Sequence, residues 1–283
     1  MAKTALMKVW NVELGLAVHI KAPNGRYVVI DLGSTSEVSP IQELWFRRVG
    51  YMVITHPHHD HFSDIKYVDY ARPNVLWRVK AFTRDELLKD VRPQDRDDFV
   101  AYCVFCDGYN GTVPMEELPS SGNPFDGMKV RVFSTDNCDK GNKNNFSAIV
   151  VIELGNAKIV ICGDNENDSL NLLMQRLDFK EAVRNAWILV APHHGRESGY
   201  NNEFVDLVHP YITIISDTTK GETSVTEKYY AKSQGWGVWK VGEDKPSDRK
   251  CLTTRNDGNI EVVFGESDNP SYPLGKLIVT VGI

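Results

Sequence analysis

Four of the eight histidines in this 283-residue chain fall within six consecutive positions. They are His56, His58, His59 and His61, and Asp60 lies between the last two. Imidazole and carboxylate groups are the ligands that zinc and other borderline divalent ions prefer. His56 and His58 are two residues apart on an extended segment, so both can face one ion, whereas Asp60 and His61 lie further round the turn and can reach a second. The spacing therefore predicts a site for one or two divalent ions, with zinc or manganese as the expected metal.

Two further groups of candidate ligands follow apolar segments downstream. Asp164 comes just after the apolar run at residues 158–162, and His193 and His194 come after the run at residues 187–190. A dinuclear site requires several strand ends that converge on one point, because two ions about 4 Å apart need ligands from many directions. We therefore expect Asp164 and His194 to complete the site that the first cluster begins.

The elements that must position these ligands have the pattern of buried strands. Residues 51–55 are nearly all apolar and run directly into the histidine cluster, and residues 27–30 run into Asp31 in the same way. Loops at the carboxyl ends of such strands are where binding sites gather in α/β proteins. Helices are expected at residues 84–91 and 201–208, among others, but strands outnumber them. This order favours a layered α/β sandwich with helices outside over a doubly wound single sheet.

The pattern along the chain predicts one domain that spans residues 1–283. A hairpin is expected near the start, where residues 8–21 and 26–31 read as two extended runs joined by a turn signal. Residues 62–127 are irregular and heavily charged. We expect this stretch to form an insertion or a lid on the domain.

Composition excludes several classes of protein. A hydrophobic fraction of 42% and a charged fraction of 25% are ordinary for a globular chain and exclude disordered, collagenous and coiled-coil proteins. No apolar run approaches the roughly 20 residues of a membrane span, and residues 1–16 lack the apolar stretch of a secretory signal. Five scattered cysteines indicate a reducing compartment, so we expect a cytoplasmic protein with no membrane association. The net charge of −6 argues against a broad nucleic-acid-binding surface.

The first cluster matches the HxHxDH signature, and the sequence resembles the metallo-β-lactamase superfamily from about Met7 to the C-terminus, residues 62–127 excepted. The resemblance implies a four-layer αββα sandwich and a metal-dependent hydrolase. It also implies six metal ligands, namely His56, His58, Asp60, His61, Asp164 and His194. Asp164 resembles the bridging carboxylate, and Asp60 and His194 are the expected catalytic residues. Asp31, which resembles the first motif acid, is expected with His59 and His193 to support the ligands. A hydroxide between two ions is the expected nucleophile, because such ions lower the pKa of bound water toward about 7.

Within the superfamily, the sequence is most similar to the hydrolase domain of the ComEC competence proteins. The similarity rests on residues 12–18 leading to residues 30–33, on Asn-Asn-Phe-Ser at 144–147, and on Pro-His-His-Gly at 192–195. ComEC proteins are membrane channels, and this chain shows no membrane span. The resemblance therefore implies a related hydrolytic site and not DNA uptake.

One departure from the superfamily pattern concerns a metal ligand. The superfamily often has a histidine between the second motif and the bridging carboxylate, yet no histidine occurs between His61 and His193. Asn144, Asn145 and Ser147 occupy the matching stretch. One ion would then have a weak protein ligand or a water in that position. The same Asn and Ser side chains are candidates for hydrogen bonds to a substrate phosphate or oxyanion.

Three hypotheses for the function follow. The leading one is a phosphodiesterase or nuclease-type enzyme that acts on a small phosphodiester or on single-stranded nucleic acid. The second is a hydrolase of a lactone, a thioester or a β-lactam, which the same fold supports. The third is a non-catalytic binding module that lost a metal together with the missing histidine.

Two other features invite functional interpretation. Cys103 and Cys106 form a single CxxC pair, but one pair cannot close a tetrahedral zinc site, so packing is favoured over metal or redox chemistry. Residues 218–255 carry a slight excess of Lys and Arg with Trp236 and Trp239 interleaved. Such a mixture can stack on a single strand of nucleic acid, although packing against the core is the more common role.

Overall fold

The computed structural model describes residues 2–218, 224–269 and 274–283. Its strands, in chain order, are β1 (Thr4–Val9), β2 (Val18–Lys21), β3 (Tyr27–Ile30), β4 (Val49–Ile54), β5 (Val75–Arg78), β6 (Lys129–Phe133), β7 (Ile149–Leu154), β8 (Ala157–Ile161), β9 (Ile188–Val190), β10 (Ile212–Ile215), β11 (Trp236–Lys240), β12 (Ser247–Arg249), β13 (Cys251–Thr253), β14 (Ile260–Gly265) and β15 (Lys276–Val281). One sheet has the order β12-β11-β15-β14-β1-β2-β3-β4-β5, and the second has the order β13-β10-β9-β8-β7-β6.

The helices lie between and after these strands. They are α1 (Arg84–Leu88), α2 (Arg96–Asp107), α3 (Asn167–Leu173), α4 (Leu177–Val183), α5 (Asn202–Val208), α6 (Thr226–Lys232) and α7 (Thr254–Asp257). Short 3₁₀ turns occupy several of the connections, including His59–His61 and Pro192–Gly195. None of the helices in the described ranges is long and apolar enough to span a membrane.

The two sheets pack face to face, and helices cover their outer faces. The alternation of β1, which buries Ala5, Met7 and Val9, places one face of the first sheet in the core between the sheets. All six residues of β4 are buried, because Tyr51 and Val53 face that inner core while Met52 and Ile54 face the helical layer that contains α2. Helices α3 to α6 pack on the outer face of the second sheet. The predicted α/β sandwich of the αββα type is confirmed.

Parallel pairing brings several strand ends to one edge. Strand β3 pairs parallel with β4, and β9 pairs parallel with both β8 and β10. The carboxyl ends of neighbouring parallel strands lie side by side, so the loops that follow them are neighbours as well. These are the loops that carry the candidate ligands.

The start of the chain differs from the sequence-based expectation. The hairpin of β2 and β3 is confirmed, but residues 8–21 do not form one extended run, because β1 ends at Val9 and β2 begins at Val18. The intervening loop passes so close to the ligand loop that a Cβ atom on Gly15 would lie 2.1 Å from the Asp60 carbonyl oxygen. Only glycine fits this approach, which requires a φ of +109° as well. The prediction was wrong there because proximity of the two loops, and not strand propensity, sets the conformation.

Residues 62–127 contain β5, α1 and α2, and the two helices pack on the outer face of the first sheet. Helix α2 buries Phe99, Tyr102, Cys103 and Cys106, which is the three-and-four spacing of an amphipathic helix. Strand β5 is the edge strand beside β4. The description of this stretch as an insertion or lid, within a single domain, stays a prediction.

Candidate metal centre

The predicted ligands lie in three loops at strand ends. His56, His58, Asp60 and His61 follow β4, whereas Asp164 follows β8 and His194 follows β9. Of these six side chains, those of His56 and His61 are fully buried, and that of Asp60 is 39% exposed. The structure thus brings together residues from both sheets, and Asp60 lies at the opening to solvent.

The carboxylate of Asp164 is the centre of the cluster. Its Oδ1 lies 3.2 Å from Nε2 of His61, and its Oδ2 lies 3.4 Å from Nε2 of His194 and 3.7 Å from Nε2 of His56. Asp60 Oδ2 lies 3.8 Å from Nε2 of His194 and 3.9 Å from Nε2 of His61. Two groups, each with ligand atoms within 4.8 Å of one another, share Asp164: Asp60, His61, Asp164 and His194, and His56, His58 and Asp164.

Hydrogen bonds behind two of the histidines orient their rings. Nδ1 of His61 lies 2.6 Å from Oδ2 of Asp31, and Nδ1 of His194 lies 3.1 Å from the carbonyl oxygen of Ser216. Carbonyl and carboxylate oxygens accept, so each Nδ1 carries the hydrogen and the lone pair of each neutral ring is at Nε2. Both Nε2 atoms are buried, and neither has a hydrogen-bond partner within the described ranges. Each Nε2 faces the Asp164 carboxylate, and either a proton or a metal ion between them satisfies both groups, so this donor set fits a divalent metal ion.

Thr55 orients the third histidine. Its Oγ1 donates to Oδ2 of Asp31 at 2.7 Å, and its backbone N–H donates to Oδ1 of Asp31 at 2.6 Å. With its hydrogen used in this way, Oγ1 accepts from Nδ1 of His56 at 3.2 Å. Nε2 of His56 then faces Nδ1 of His58 at 3.0 Å. Three rings are therefore held through Nδ1, and their Nε2 atoms point toward Asp164.

Burial and neighbouring charges set the protonation of the centre. Burial lowers the pKa of His56 well below its usual value, and it lowers that of His58 although nearby carboxylates oppose it. Burial opposes ionisation of Asp164, but His194 and His61 outweigh it and hold the pKa of that carboxyl well below its usual range. Burial raises the pKa of Asp31, while His61 and Thr55 oppose the shift with three donated hydrogen bonds. Burial opposes protonation of His61 and His194, but Asp164 outweighs it and raises the pKa of both rings. Metals bind neutral imidazoles and ionised carboxylates, so an ion that binds here displaces a proton from these two rings.

The backbone around the ligands adopts conformations that most residues avoid. Asp31, His193 and His194 have φ values of +59°, +47° and +53°. Left-handed backbone is uncommon for residues other than glycine, and such strain clusters at functional sites. Gly163 precedes Asp164 with a φ of +52°, and a Cβ atom there would lie 2.9 Å from the Thr55 side chain. The loops are thus held in place by close packing between the two sheets.

The Asn and Ser residues at positions 144, 145 and 147, where the superfamily often has a histidine ligand, have two different roles. Ser147 Oγ accepts from the backbone N–H of Asp164 at 3.1 Å, and Asn145 Oδ1 accepts from the backbone N–H groups of Glu166 and Ser169 at 3.2 and 3.3 Å. Both therefore hold the loop that carries Asp164. Asn144 donates through Nδ2 to Oε1 of Glu166 at 3.0 Å, and its buried Oδ1 has no partner in the described part of the chain. Substrate contacts by these residues stay a prediction.

His59 and His193, predicted to support the ligands, face different neighbours. Nε2 of His59 lies 2.8 Å from Asp98 of α2, so this ring fastens the ligand loop to the helical layer. Nδ1 of His193 lies 2.8 Å from Ser198 Oγ and 3.1 Å from Glu166 Oε1. Support of the ligands by these two histidines stays a prediction.

Sequence reasoning missed three groups beside the centre, namely Thr55, Glu166 and the carbonyl of Ser216. Two of them could have been suggested by their closeness in sequence to a predicted ligand, because Thr55 directly precedes His56 and Glu166 lies two residues after Asp164. The Ser216 carbonyl could not have been found from the sequence, since every residue type that follows β10 would supply a backbone carbonyl there.

The other two sequence features lie outside the cluster. Cys103 and Cys106 are buried in α2, where burial raises the pKa of both thiols, to about 12 for Cys106, so they are not reactive thiolates. Trp239 is 41% exposed and Trp236 is half-buried against the core. Residues 219–223 of the aromatic stretch lie outside the described residues, and binding of a single strand stays a prediction.

Comparison with known proteins agrees with this architecture. The profile of the metallo-beta-lactamase superfamily matches residues 11–215, a span that includes every candidate ligand. The chain belongs to this superfamily. Members of the metallo-β-lactamase superfamily are typically hydrolases, and this member retains His and Asp side chains that could hold metal ions.

Solved structures show a similar fold at low sequence identity. The metallo-beta-lactamase fold protein YhfI from Bacillus subtilis is 10% identical, with a TM-score of 0.50 and coverage of 92% of this chain and 99% of that chain. A diphosphatase from the PhnP family is 12% identical, with a TM-score of 0.46 and coverage of 93% and 99%. Igni18, a metallo hydrolase from Ignicoccus hospitalis KIN4/I, is 12% identical, with a TM-score of 0.43 and coverage of 74% and 81%. At 10% identity the likeness to YhfI describes the fold alone. A search of curated proteins gave no match.

Proposed function

We propose that this member of the superfamily is a metal-dependent phosphodiesterase. The observation that carries the proposal is that Asp164 belongs to both ligand groups. A shared carboxylate is what two ions about 4 Å apart require, and sites of that kind are typical of phosphatases, polymerases and nucleases. Zinc and manganese are the metals that we propose, with one or two ions in each chain.

The two ligand groups would hold the ions in different surroundings. Asp60, His61, Asp164 and His194 would hold one, and His56, His58 and Asp164 the other. When bound, divalent ions supply Lewis acidity and lower the pKa of a bound water toward about 7. Asp31, Thr55 and the Ser216 carbonyl fix the orientation of the imidazole rings. The ligand side chains therefore need little reorganisation when substrate binds.

Asp60 is the side chain best placed to act on the substrate. It is the most exposed carboxylate of the cluster, and its Oδ2 lies within 4 Å of two Nε2 atoms. An incoming water at the mouth of the site can donate a hydrogen bond to it, which orients the water for attack. We propose Asp60 and His194 as the catalytic pair on this basis.

The substrate that we propose is a small phosphodiester or a single strand of nucleic acid held by a limited patch. The net charge of −6 disfavours a broad surface for nucleic acid. Similarity to the ComEC hydrolase domain, through Asn-Asn-Phe-Ser at 144–147, supports the same class of substrate.

Turnover assays with metal-loaded protein test the proposal. Protein loaded with zinc or manganese is incubated with bis(p-nitrophenyl) phosphate, a cyclic nucleotide and single-stranded DNA, and in parallel with a lactone, a thioester and a β-lactam. Chelator-treated protein and His58→Ala are the controls. Hydrolysis of a phosphodiester that both controls lose supports the proposal. Faster hydrolysis of the carboxylic derivatives overturns it. Absence of any turnover, with less than one ion per chain, overturns it in favour of a binding module.

A further inference from the structure

Two positively charged side chains beside the candidate metal centre lack an acidic partner. Lys143 directly precedes Asn144, and its charge acts on His58. Arg196 follows the loop of His194, and its Nη1 lies 3.3 Å from Nε2 of His193. Within the described residues, neither has a carboxylate oxygen within 4.0 Å. Two other lysines do have one, because Lys140, in the loop of Lys143, pairs with Glu86, and Lys228 of α6 pairs with Glu197 of the loop that follows Arg196.

His193 holds Arg196 in this position. Two groups that only donate, Nη1 of Arg196 and Nδ2 of Asn144, lie at Nε2 of His193, so Nδ1 carries the hydrogen and donates to Ser198 Oγ at 2.8 Å. Nε2 then accepts from the guanidinium of Arg196. Nε of Arg196 is buried and has no hydrogen-bond partner in the part of the chain that the structure describes. Nε of Arg78 and of Arg131 also lack a hydrogen-bond partner among the described residues, so this donor alone does not distinguish Arg196. Arg196 differs from Arg131, which pairs with Glu153, because no described carboxylate pairs with it, and it differs from Arg78 because it contacts His193 beside the candidate metal centre.

A chain of contacts joins the two positive charges. Nη1 of Arg196 contacts Nε2 of His193, which lies 3.4 Å from Nδ2 of Asn144, and Asn144 is bonded to Lys143. The carboxylates nearest to His193 are those of Asp164 and Glu166, and Glu166 already accepts from Asn142 at 2.9 Å and from Asn144 at 3.0 Å. This side of the centre therefore carries two positive charges that no described carboxylate neutralises.

We propose that Lys143 and Arg196 form a subsite for an anionic group of the substrate, of the phosphate class, adjacent to the scissile bond. A guanidinium offers parallel N–H donors that match phosphate oxygens, and an ammonium adds a point charge. Such a pair in an otherwise acidic protein attracts anionic substrates to the site mouth. The inference rests on the proposed phosphodiesterase function for the scissile bond, and it narrows the substrate to phosphodiesters that carry a second phosphate.

A pair of dinucleotides that differ by one phosphate tests the subsite. Metal-loaded protein is given a thymidine dinucleotide with and without a 5′-terminal phosphate, and both KM and kcat are measured. We expect Arg196→Gln and Lys143→Gln each to raise KM roughly tenfold for the phosphorylated dinucleotide, since each removes a charge-assisted hydrogen bond. KM for the unphosphorylated dinucleotide and kcat for both should stay within about twofold. The matched controls are Lys228→Gln and Lys140→Gln, whose charges are already paired.

Equilibrium binding separates this inference from the proposed function. Kd of a fluorescently labelled form of each dinucleotide is measured for the metal-loaded wild type and for each variant, with circular dichroism to verify folding. If neither dinucleotide is cleaved, the proposed function fails, and a roughly tenfold loss of affinity for the phosphorylated form in both variants still supports the subsite. Equal affinity of the wild type for both dinucleotides overturns the subsite. Equal losses in the paired-lysine controls overturn it as well. Lys143 lies in a turn, so its variant remains informative should Arg196→Gln fail to fold.

Discussion

Two regions of the molecule bury residue types that can bind metals, the ligand loops around Asp164 and helix α2 with its CxxC pair. In the loops, an acceptor behind each ring holds His56, His61 and His194 through Nδ1, and their Nε2 atoms point at a shared carboxylate. In α2, the thiols of Cys103 and Cys106 belong to the apolar cluster that covers the first sheet, and burial raises their pKa. Residue type and spacing are therefore not sufficient for a metal site. A hydrogen-bond acceptor must also hold each imidazole through one nitrogen, so that the other nitrogen remains available to the ion.

His19 shows the same distinction for a histidine. It lies within β2 and is buried, with Nδ1 accepting from Trp10 Nε1 at 3.2 Å. Burial and the charge of Lys8 lower its pKa to about 3. Nothing among the described residues places a carboxylate at its Nε2, so this ring is a neutral core residue and not a ligand.

The largest expected effect belongs to the shared carboxylate. Asp164→Ala should lower kcat/KM by roughly 10³-fold, because metal ions contribute several kcal/mol to stabilisation of the transition state. The fold should persist, since Asp164 lies in a loop and not within a strand. Steady-state kinetics, elemental analysis and circular dichroism measure the three quantities. Retained activity, or global unfolding of the variant, would contradict the placement of Asp164.

Substitution of Asp31, whose carboxylate orients His61, should have a smaller effect than loss of the shared carboxylate. Asp31→Asn should weaken metal affinity about 10- to 100-fold, the usual consequence of removing the group that orients a ligand. Asparagine tolerates the left-handed φ of +59° at this position, so the backbone need not change. Competition with a chromophoric chelator gives the affinity. Asp64→Asn is the control, because Asp64 is also buried but accepts from Ser39 and Ile41. An equal loss in both variants would refute a specific anchoring role.

His19 should affect only the dependence of stability on pH. Its pKa is about 3 in the folded state and 6.5 when unfolded. Between these two pH values, His19 is protonated in the unfolded chain and neutral in the folded chain. Above pH 6.5 the titration of His19 does not change the free energy of unfolding. As the pH falls from 6.5 toward 3, protonation of His19 in the unfolded chain lowers this free energy by about 1.4 kcal/mol per pH unit. His19→Gln should remove this slope. Urea unfolding of both proteins between pH 4 and 8 measures it, and parallel profiles would show that His19 does not titrate in this way.

The CxxC pair should have the smallest effect on the centre. Cys106→Ala should reduce the free energy of unfolding by about 1 kcal/mol, through lost packing in α2. Metal content and activity should match the wild type. A drop in bound metal on elemental analysis would show instead that the thiols belong to a metal site.

Much of the site could be predicted because its ligands follow continuous apolar strands. Strands β4, β8 and β9 are recognisable from sequence, and each leads directly to a ligand. The anchors were harder to foresee, since the Ser216 carbonyl reaches His194 across 22 residues and Glu166 meets His193 only through folding. These contacts depend on tertiary packing, which local sequence does not encode.

The fold was predictable in outline and less so in detail. Alternating and fully apolar runs indicate the sheets, but α2 was missed, because Arg96, Asp97 and Asp98 at its start conceal the apolar spacing that follows. Strands β12 and β13 have three residues each, too few for a periodicity to emerge. The loop before β2 was missed because Gly15 gains its meaning only from the approach of Asp60.

Anomalous diffraction at the zinc or manganese edge, from crystals of metal-loaded protein, tests the central claim most directly. We expect two peaks on either side of the Asp164 carboxylate, one among Asp60, His61 and His194 and the other beside His56 and His58. No peak is expected at Cys103 and Cys106. With crystals soaked to saturation in the metal, a single peak, or a peak that Asp164 does not contact, would contradict the claim that one carboxylate joins two metal positions.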